Sequence, residues 1–112
     1  MSFYRKGNKY NNTSCVCLIG KHWHQSRGEA GHCDYLSAQV QNKEIKSFEK
    51  QVKYYLCIGK AQITTHVVDF VVTGNDGSVW VEEYKGFATE IWGIKKRLFE
   101  ALYPHIPYHV KR

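Results

Sequence analysis

Apolar and polar residues alternate in several short runs along this chain, and two longer stretches repeat their apolar residues at helical spacing. "SCVCLIGKHWH" (14–24) splits into two alternating runs around Gly20-Lys21. That pattern predicts a hairpin with a two-residue turn, placing Cys15, Cys17, Ile19, His22 and His24 on one face. Ser26 followed by Glu29 has the capping-box form, and Ala30, Cys33, Leu36 and Val40 then recur every three or four residues. A helix is therefore expected from Ser26 to its stop at Asn42. Residues 45–58 are rich in Phe, Val and Tyr and read as extended, with Gly59-Lys60 as a turn. Residues 62–73 and 79–85 read as two further strands. Thr89 caps a second helix with Ile91, Ile94, Leu98 and Leu102 as its apolar stripe, leaving Lys95, Lys96 and Arg97 toward solvent or the rim of a site. Pro104 ends it, and "IPYHV" (106–110) supplies a short last strand. The order hairpin-α-β-β-β-α-β predicts an α/β protein, a mixed sheet flanked by helices.

One aspartate interrupts the apolar run "HVVDFVV" (66–72), and a carboxylate buried there without a partner would be expensive. The turn cluster "GNDGS" (74–78) predicts that the flanking strands pair as a hairpin with a five-residue loop. Counting outward from Thr73 opposite Val79, Val71 meets Val81, Asp69 meets Glu83 and Val67 meets Lys85. Alternation then puts Asp69, Glu83 and Lys85 on one face and sends Glu82 to the other with Trp80 and Tyr84. Opposed residues have Cβ atoms about 5 Å apart, close enough for two carboxylates to share a cation. Oxygen ligands select magnesium or manganese, either of which would polarise a phosphoryl oxygen and activate water. Lys85 would orient that water or steady the phosphate; a structural ion pair with either acid is the plainer alternative.

Charge adds a partner to this picture. The formal net charge is +6, and Arg5, Lys6, Lys9, Lys21 and Arg27 all precede the first acid, Glu29. With Lys95-Lys96-Arg97 they form segregated basic clusters suited to a polyanion such as nucleic acid; a basic protein with solvated lysines is the plainer alternative. At 112 residues a single domain over 13–112 is expected, preceded by a flexible basic arm over 1–12. No apolar run approaches the ~20 residues that span a bilayer, and the opening residues lack a signal-peptide core, so the expectation is a cytoplasmic protein without a membrane partner. Cys15, Cys17 and Cys33 stand near His22, His24 and His32, which raises zinc; the spacing is not a standard CxxC pair, and small core cysteines with satisfied histidines explain it as well.

"VVDF" (67–70) and "EYK" (83–85), with thirteen residues between Asp69 and Glu83, resemble the PD-(D/E)XK nuclease motif. Val68 stands where that motif often has proline. Within the superfamily the chain is most similar to small phage-encoded proteins of the endonuclease and Holliday-junction-resolvase type. The similarity runs through Gly20, Ser26, Glu29-Ala30, Ile45, Phe48, Gln51, Asp69-Phe70, Val81-Glu82 and Lys85-Gly86, over residues 10–110. The resemblance implies a restriction-endonuclease-like fold and a Mg2+- or Mn2+-dependent endodeoxyribonuclease leaving 5′-phosphates. It implies Asp69 and Glu83 as metal ligands, Glu29 as a further metal or water ligand, Lys85 as the catalytic lysine, and Gln51 lining the site. Arg5, Lys6, Lys9, Lys95, Lys96 and Arg97 would contact DNA. Cutting both strands would take a homodimer or two events, branched DNA is a natural substrate, and the compartment would be a bacterial host's cytoplasm. A nucleic-acid-binding protein that keeps the fold without catalysis is the rival reading.

Overall fold

The computed structural model describes residues 15–24 and 26–111; the expected basic arm with Arg5, Lys6 and Lys9 lies outside them. In chain order come β1 (Cys15–Val16), β2 (Trp23–His24), α1 (Arg27–Gln41), β3 (Ser47–Ile58), β4 (Ala61–Thr73), β5 (Val79–Tyr84), α2 (Glu90–Leu102) and β6 (Tyr108–Lys111). β1 and β2 form a two-stranded hairpin, and β3-β4-β5-β6 form a four-stranded sheet. The first two pairings of that sheet are antiparallel and the last, β5 with β6, is parallel, so the protein is mixed α/β as expected. None of the described helices is long and apolar enough to cross a membrane.

Local chemistry sets the helix ends. The Ser26 hydroxyl accepts the Glu29 amide at 3.2 Å, and Thr89 caps Trp92 in the same way at 3.1 Å. At the far end of α1, Asn42 donates to the Ala38 carbonyl and Lys43 takes a left-handed φ of +62°. The buried stripe of α1 (Ala30, Cys33, Leu36) packs with Cys17 and Ile45 on Phe70 and Val72 of β4. Leu56, Val68, Val71, Val81 and Phe99 make a second core under α2. Phe70 and Val72 alternate with Val71, so the two helices cover opposite faces of the sheet at this level.

A local irregularity joins these two cores. Phe48 belongs to the α1 core, whereas Val52, Tyr54 and Leu56, of the same parity in β3, belong to the α2 core. The change of face falls at Gln51, whose φ is +56°, a conformation costing a non-glycine residue roughly 1–2 kcal/mol. Lys50 pairs with Phe70 and Val52 with Val68, but Gln51 and Asp69 between them are left out of the ladder. Backbone strain of this kind collects at functional sites.

Two sequence expectations change. The hairpin does not turn at Gly20-Lys21: Cys15 pairs with His24 and Val16 with Trp23, so the connection spans residues 17–22. The Asp34 carboxylate accepts the Leu18 and Ile19 amides at 2.9 and 2.8 Å, drawing that backbone out of strand pairing. Ile19 is consequently exposed rather than on the inner face. The stripe of α2 is also rotated: Ile91 and Ile94 are 68% and 50% exposed, while Phe99 is fully buried. Phe99 stacks edge-on with Tyr54 and Tyr108, with ring centres 4.9 and 5.4 Å apart. These aromatic contacts outcompete two isoleucines for the inner face.

Candidate functional site

The hairpin register is the one expected from the five-residue loop. Thr73 pairs with Val79, Val72 with Trp80, Val71 with Val81 and Phe70 with Glu82. The next step outward sets Asp69 across from Glu83, and the Asp69 carboxylate caps the end of β5 by accepting the Tyr84 amide at 2.9 Å. β5 stops at Tyr84, one residue short of the expected strand, and the Lys85 amide donates instead to the Lys111 carbonyl of β6. Gln51, Asp69, Glu83, Lys85, Trp92 and Lys95 together line a cleft of about 500 Å³. A hollow of about 640 Å³ between α1 and β3 is larger, but it lacks this concentration of charge.

Glu29 approaches the same group from α1. Its amide is capped by Ser26, and its carboxylate Oε2 accepts His24 Nδ1 at 3.0 Å and Gln51 Nε2 at 3.1 Å. The Gln51 amide also reaches Asp69 Oδ1 at 3.4 Å, so the strained residue bridges two acids. Burial, then the charges of Glu83 and Glu29, push Asp69 up to about 7, against the Tyr84 amide and Lys85. Burial likewise raises Glu83, although Tyr108, Lys85 and Trp92 pull it down. Asp69, Glu83 and Glu29 outnumber the Lys85 and Lys95 ammonium groups at the cleft, and a divalent cation relieves such an excess of acids.

A second set of contacts fixes Glu83. The Tyr108 hydroxyl donates to its Oε1 at 2.5 Å, and the Trp92 indole N–H donates to its Oε2 at 3.3 Å. With its proton directed at Glu83, the Tyr108 oxygen accepts His66 Nε2 at 2.8 Å. Burial, then Lys95, Lys85 and Lys96, hold His66 down at about 4, so it is neutral at pH 7. Lys85 lies over the Trp92 ring, 5.0 Å from its centre. Sequence reasoning missed Tyr108 and Trp92 as partners of Glu83, and His66 behind Tyr108. Only the parallel pairing of β6, with Tyr108 opposite Val81, brings Tyr108 there.

The basic helix divides. Lys95 lines the cleft, Arg97 is exposed, and Lys96 is occupied by Glu100 at 2.8 Å and by the Tyr108 ring. Glu82 faces away from the cleft as expected, accepting His32 Nε2 at 2.6 Å and the Trp80 indole at 2.8 Å.

Beyond Glu29 lies a cluster that sequence spacing left undecided. Cys17, His22, His24 and Cys33 bring their ligand atoms within 4.8 Å of one another. The side chain of Cys15 lies outside the described residues, and His32 is turned to Glu82. Burial, and then Cys17, push the Cys33 thiol up to about 12.

Fold and cleft together define a mixed α/β protein with an acidic, lysine-edged site at a strained break between two strands. The chain belongs to the family described as a protein of unknown function, DUF1064, whose model matches residues 7–112. No curated protein and no solved structure matches it.

Proposed function

We propose that this protein is a metal-dependent endodeoxyribonuclease of the PD-(D/E)XK type, hydrolysing phosphodiester bonds of DNA. One observation carries the reading: Asp69, Glu83 and Lys85 converge on a single cleft with Glu29 behind them, where burial and then the charges of Glu83 and Glu29 raise the Asp69 pKa to about 7. A protein that only bound DNA would gain nothing from acids turned toward phosphate.

The donor set fits a hard divalent cation, because it is all carboxylate oxygen and carries uncompensated charge. Such an ion, held by Asp69 and Glu83, would supply Lewis acidity toward the phosphate and a lowered pKa for water. The chain's own residues do the rest. Tyr108 and Trp92 fix both oxygens of Glu83, and the Tyr84 amide and Gln51 fix those of Asp69, so the acids are held before substrate arrives. Glu29 adds its charge to both. Lys85, steadied over Trp92, presents an ammonium to the attacking water or to a phosphate oxygen. Lys95 at the rim and exposed Arg97 position the duplex through its backbone. The described residues offer one such cleft, so cutting both strands takes two copies or two events, which suits branched DNA.

The test is a cleavage panel of linear duplex, single-stranded, flapped and four-way-junction DNA with magnesium or manganese. Metal-dependent cutting that leaves 5′-phosphate ends is expected. Tight DNA binding with no cutting under any condition would instead make the protein a binder.

A further inference from the structure

We propose that Cys17, His22, His24 and Cys33 form a closed zinc site of two thiolates and two imidazoles, oriented by Glu29. The four ligand atoms come from the β1–β2 hairpin and from α1, and all lie within 4.8 Å of one another. A tetrahedral zinc with bonds of about 2.0–2.3 Å sets its ligands roughly 3.3–3.8 Å apart, so small side-chain adjustments complete the shell. His22 Nδ1 is already 3.3 Å from Cys33 Sγ.

The deciding observation is His24. This imidazole is 1% exposed, and its Nδ1 bonds to the Glu29 carboxylate at 3.0 Å, while its Nε2 has no hydrogen-bond partner. An unsatisfied buried nitrogen is destabilising, and packing the cluster as plain core residues leaves that loss unexplained. With Nδ1–H donated to Glu29, the lone pair falls on Nε2, the tautomer a metal needs. A carboxylate behind a ligating histidine is the usual outer partner of such sites.

The surrounding loop is shaped for the same purpose. The His22 amide donates to Cys17 Sγ at 3.2 Å, a contact that favours a thiolate. A Cβ at Gly20 would lie 2.6 Å from the His22 ring, so the backbone passes over that imidazole only because residue 20 has no side chain. Asp34, one residue after Cys33, holds the Leu18 and Ile19 amides and so fixes the loop to α1. Binding would replace the two thiol protons, which pass to solvent, with two Zn–S bonds. Because Glu29 Oε2 also accepts Gln51, which reaches Asp69, a filled site would hold Glu29 in place beside the acidic cleft. The proposal does not depend on that cleft cutting DNA.

Two measurements on the full chain test it. Protein purified without chelator should carry one zinc per chain by elemental analysis. Apo protein titrated with Co2+ should show the intense absorption of a tetrahedral ion with a sulfur-to-metal charge-transfer band. C17S and C33S should each lose that spectrum, and E29Q should keep it while weakening zinc affinity about 10- to 100-fold. Asp69→Asn should leave zinc content unchanged, which separates this site from the acidic cleft. Well below one zinc per chain together with a purely octahedral Co2+ spectrum in the unmutated protein would overturn the proposal, as would an unaltered spectrum in C17S and C33S.

Discussion

Replacing Asp69 with asparagine removes one negative charge from the cleft while keeping its shape, and the metal-free protein should become more stable. The sign follows from proton linkage. The Asp69 pKa rises from an ordinary 3.8 to about 7, so between those pH values the folded chain holds a proton that the unfolded chain has released. Stability therefore falls as pH climbs through that window, and the loss is complete above pH 7. The span is a little over three decades of proton affinity, or about 4 kcal/mol at 1.36 kcal/mol per decade. Asp69 is only partly buried, and water at the cleft screens some of this, so about 4 kcal/mol is a ceiling. Asparagine stays neutral at every pH and escapes the cost, while its carbonyl can still accept the Tyr84 amide. Even a gain of ~1 kcal/mol would raise the melting temperature by about 4 °C in a domain of this size. Melting curves of both proteins in chelator at pH 4 to 8 should show a gap that opens as pH rises and levels off above 7. Magnesium at pH 8 should then stabilise the parent more than the variant, because a ligand stabilises the state that binds it. A pH-independent gap would refute the raised Asp69 pKa, and equal shifts on adding magnesium would remove Asp69 from the metal site.

Other perturbations probe separate parts of the account. Lys85→Ala should cut single-turnover cleavage by about 10²- to 10³-fold with little change in DNA affinity, as expected when one preorganised charge contact is lost; parental rates with lowered stability would reduce Lys85 to a structural ion pair. Tyr108→Phe removes the hydroxyl that lowers the Glu83 pKa, so the rising limb of the pH–rate profile should move to higher pH; an unmoved limb would show that Glu83 does not titrate there. Deleting residues 1–9 should weaken DNA binding and flatten its salt dependence, since fewer counterions are released; an unchanged slope would mean that Arg5, Lys6 and Lys9 are not phosphate contacts. Gly28→Ala would place a Cβ 2.1 Å from the Tyr84 ring, and a loss of about 1–3 kcal/mol in a denaturant titration is expected, with no loss meaning that Tyr84 moves aside freely.

The sequence carried much of the local structure because local structure has local causes. Ser26 and Thr89 announce the helix starts, and both cap as their side chains predict. "GNDGS" fixes a loop length, and period-two alternation does the rest, which is why the β4–β5 register could be counted from five residues. The departures come from contacts between distant segments. Asp34 pulls the Leu18–Ile19 backbone out of the tight turn that Gly20-Lys21 suggested. On α2, apolar spacing favoured Ile91 and Ile94, but the aromatic surroundings of Phe99 on β3 and β6 decide the buried face. At the cleft, Asp69, Glu83 and Lys85 could be read as neighbours, whereas the Tyr108–Glu83 and His24–Glu29 bonds could not. The first depends on a parallel pairing across α2, and the second on where a loop places an imidazole.

If the acids of this cleft serve hydrolysis of DNA, their metal and their charge must both be needed for cutting. The most direct measurement is cleavage of a labelled four-way junction and a linear duplex by the parent and by Asp69→Asn, side by side, with magnesium and with chelator. The parent should cut only with the metal, and a folded Asp69→Asn that still binds the DNA should not cut. Cutting by Asp69→Asn at the parental rate, or cutting by the parent in chelator, would contradict this.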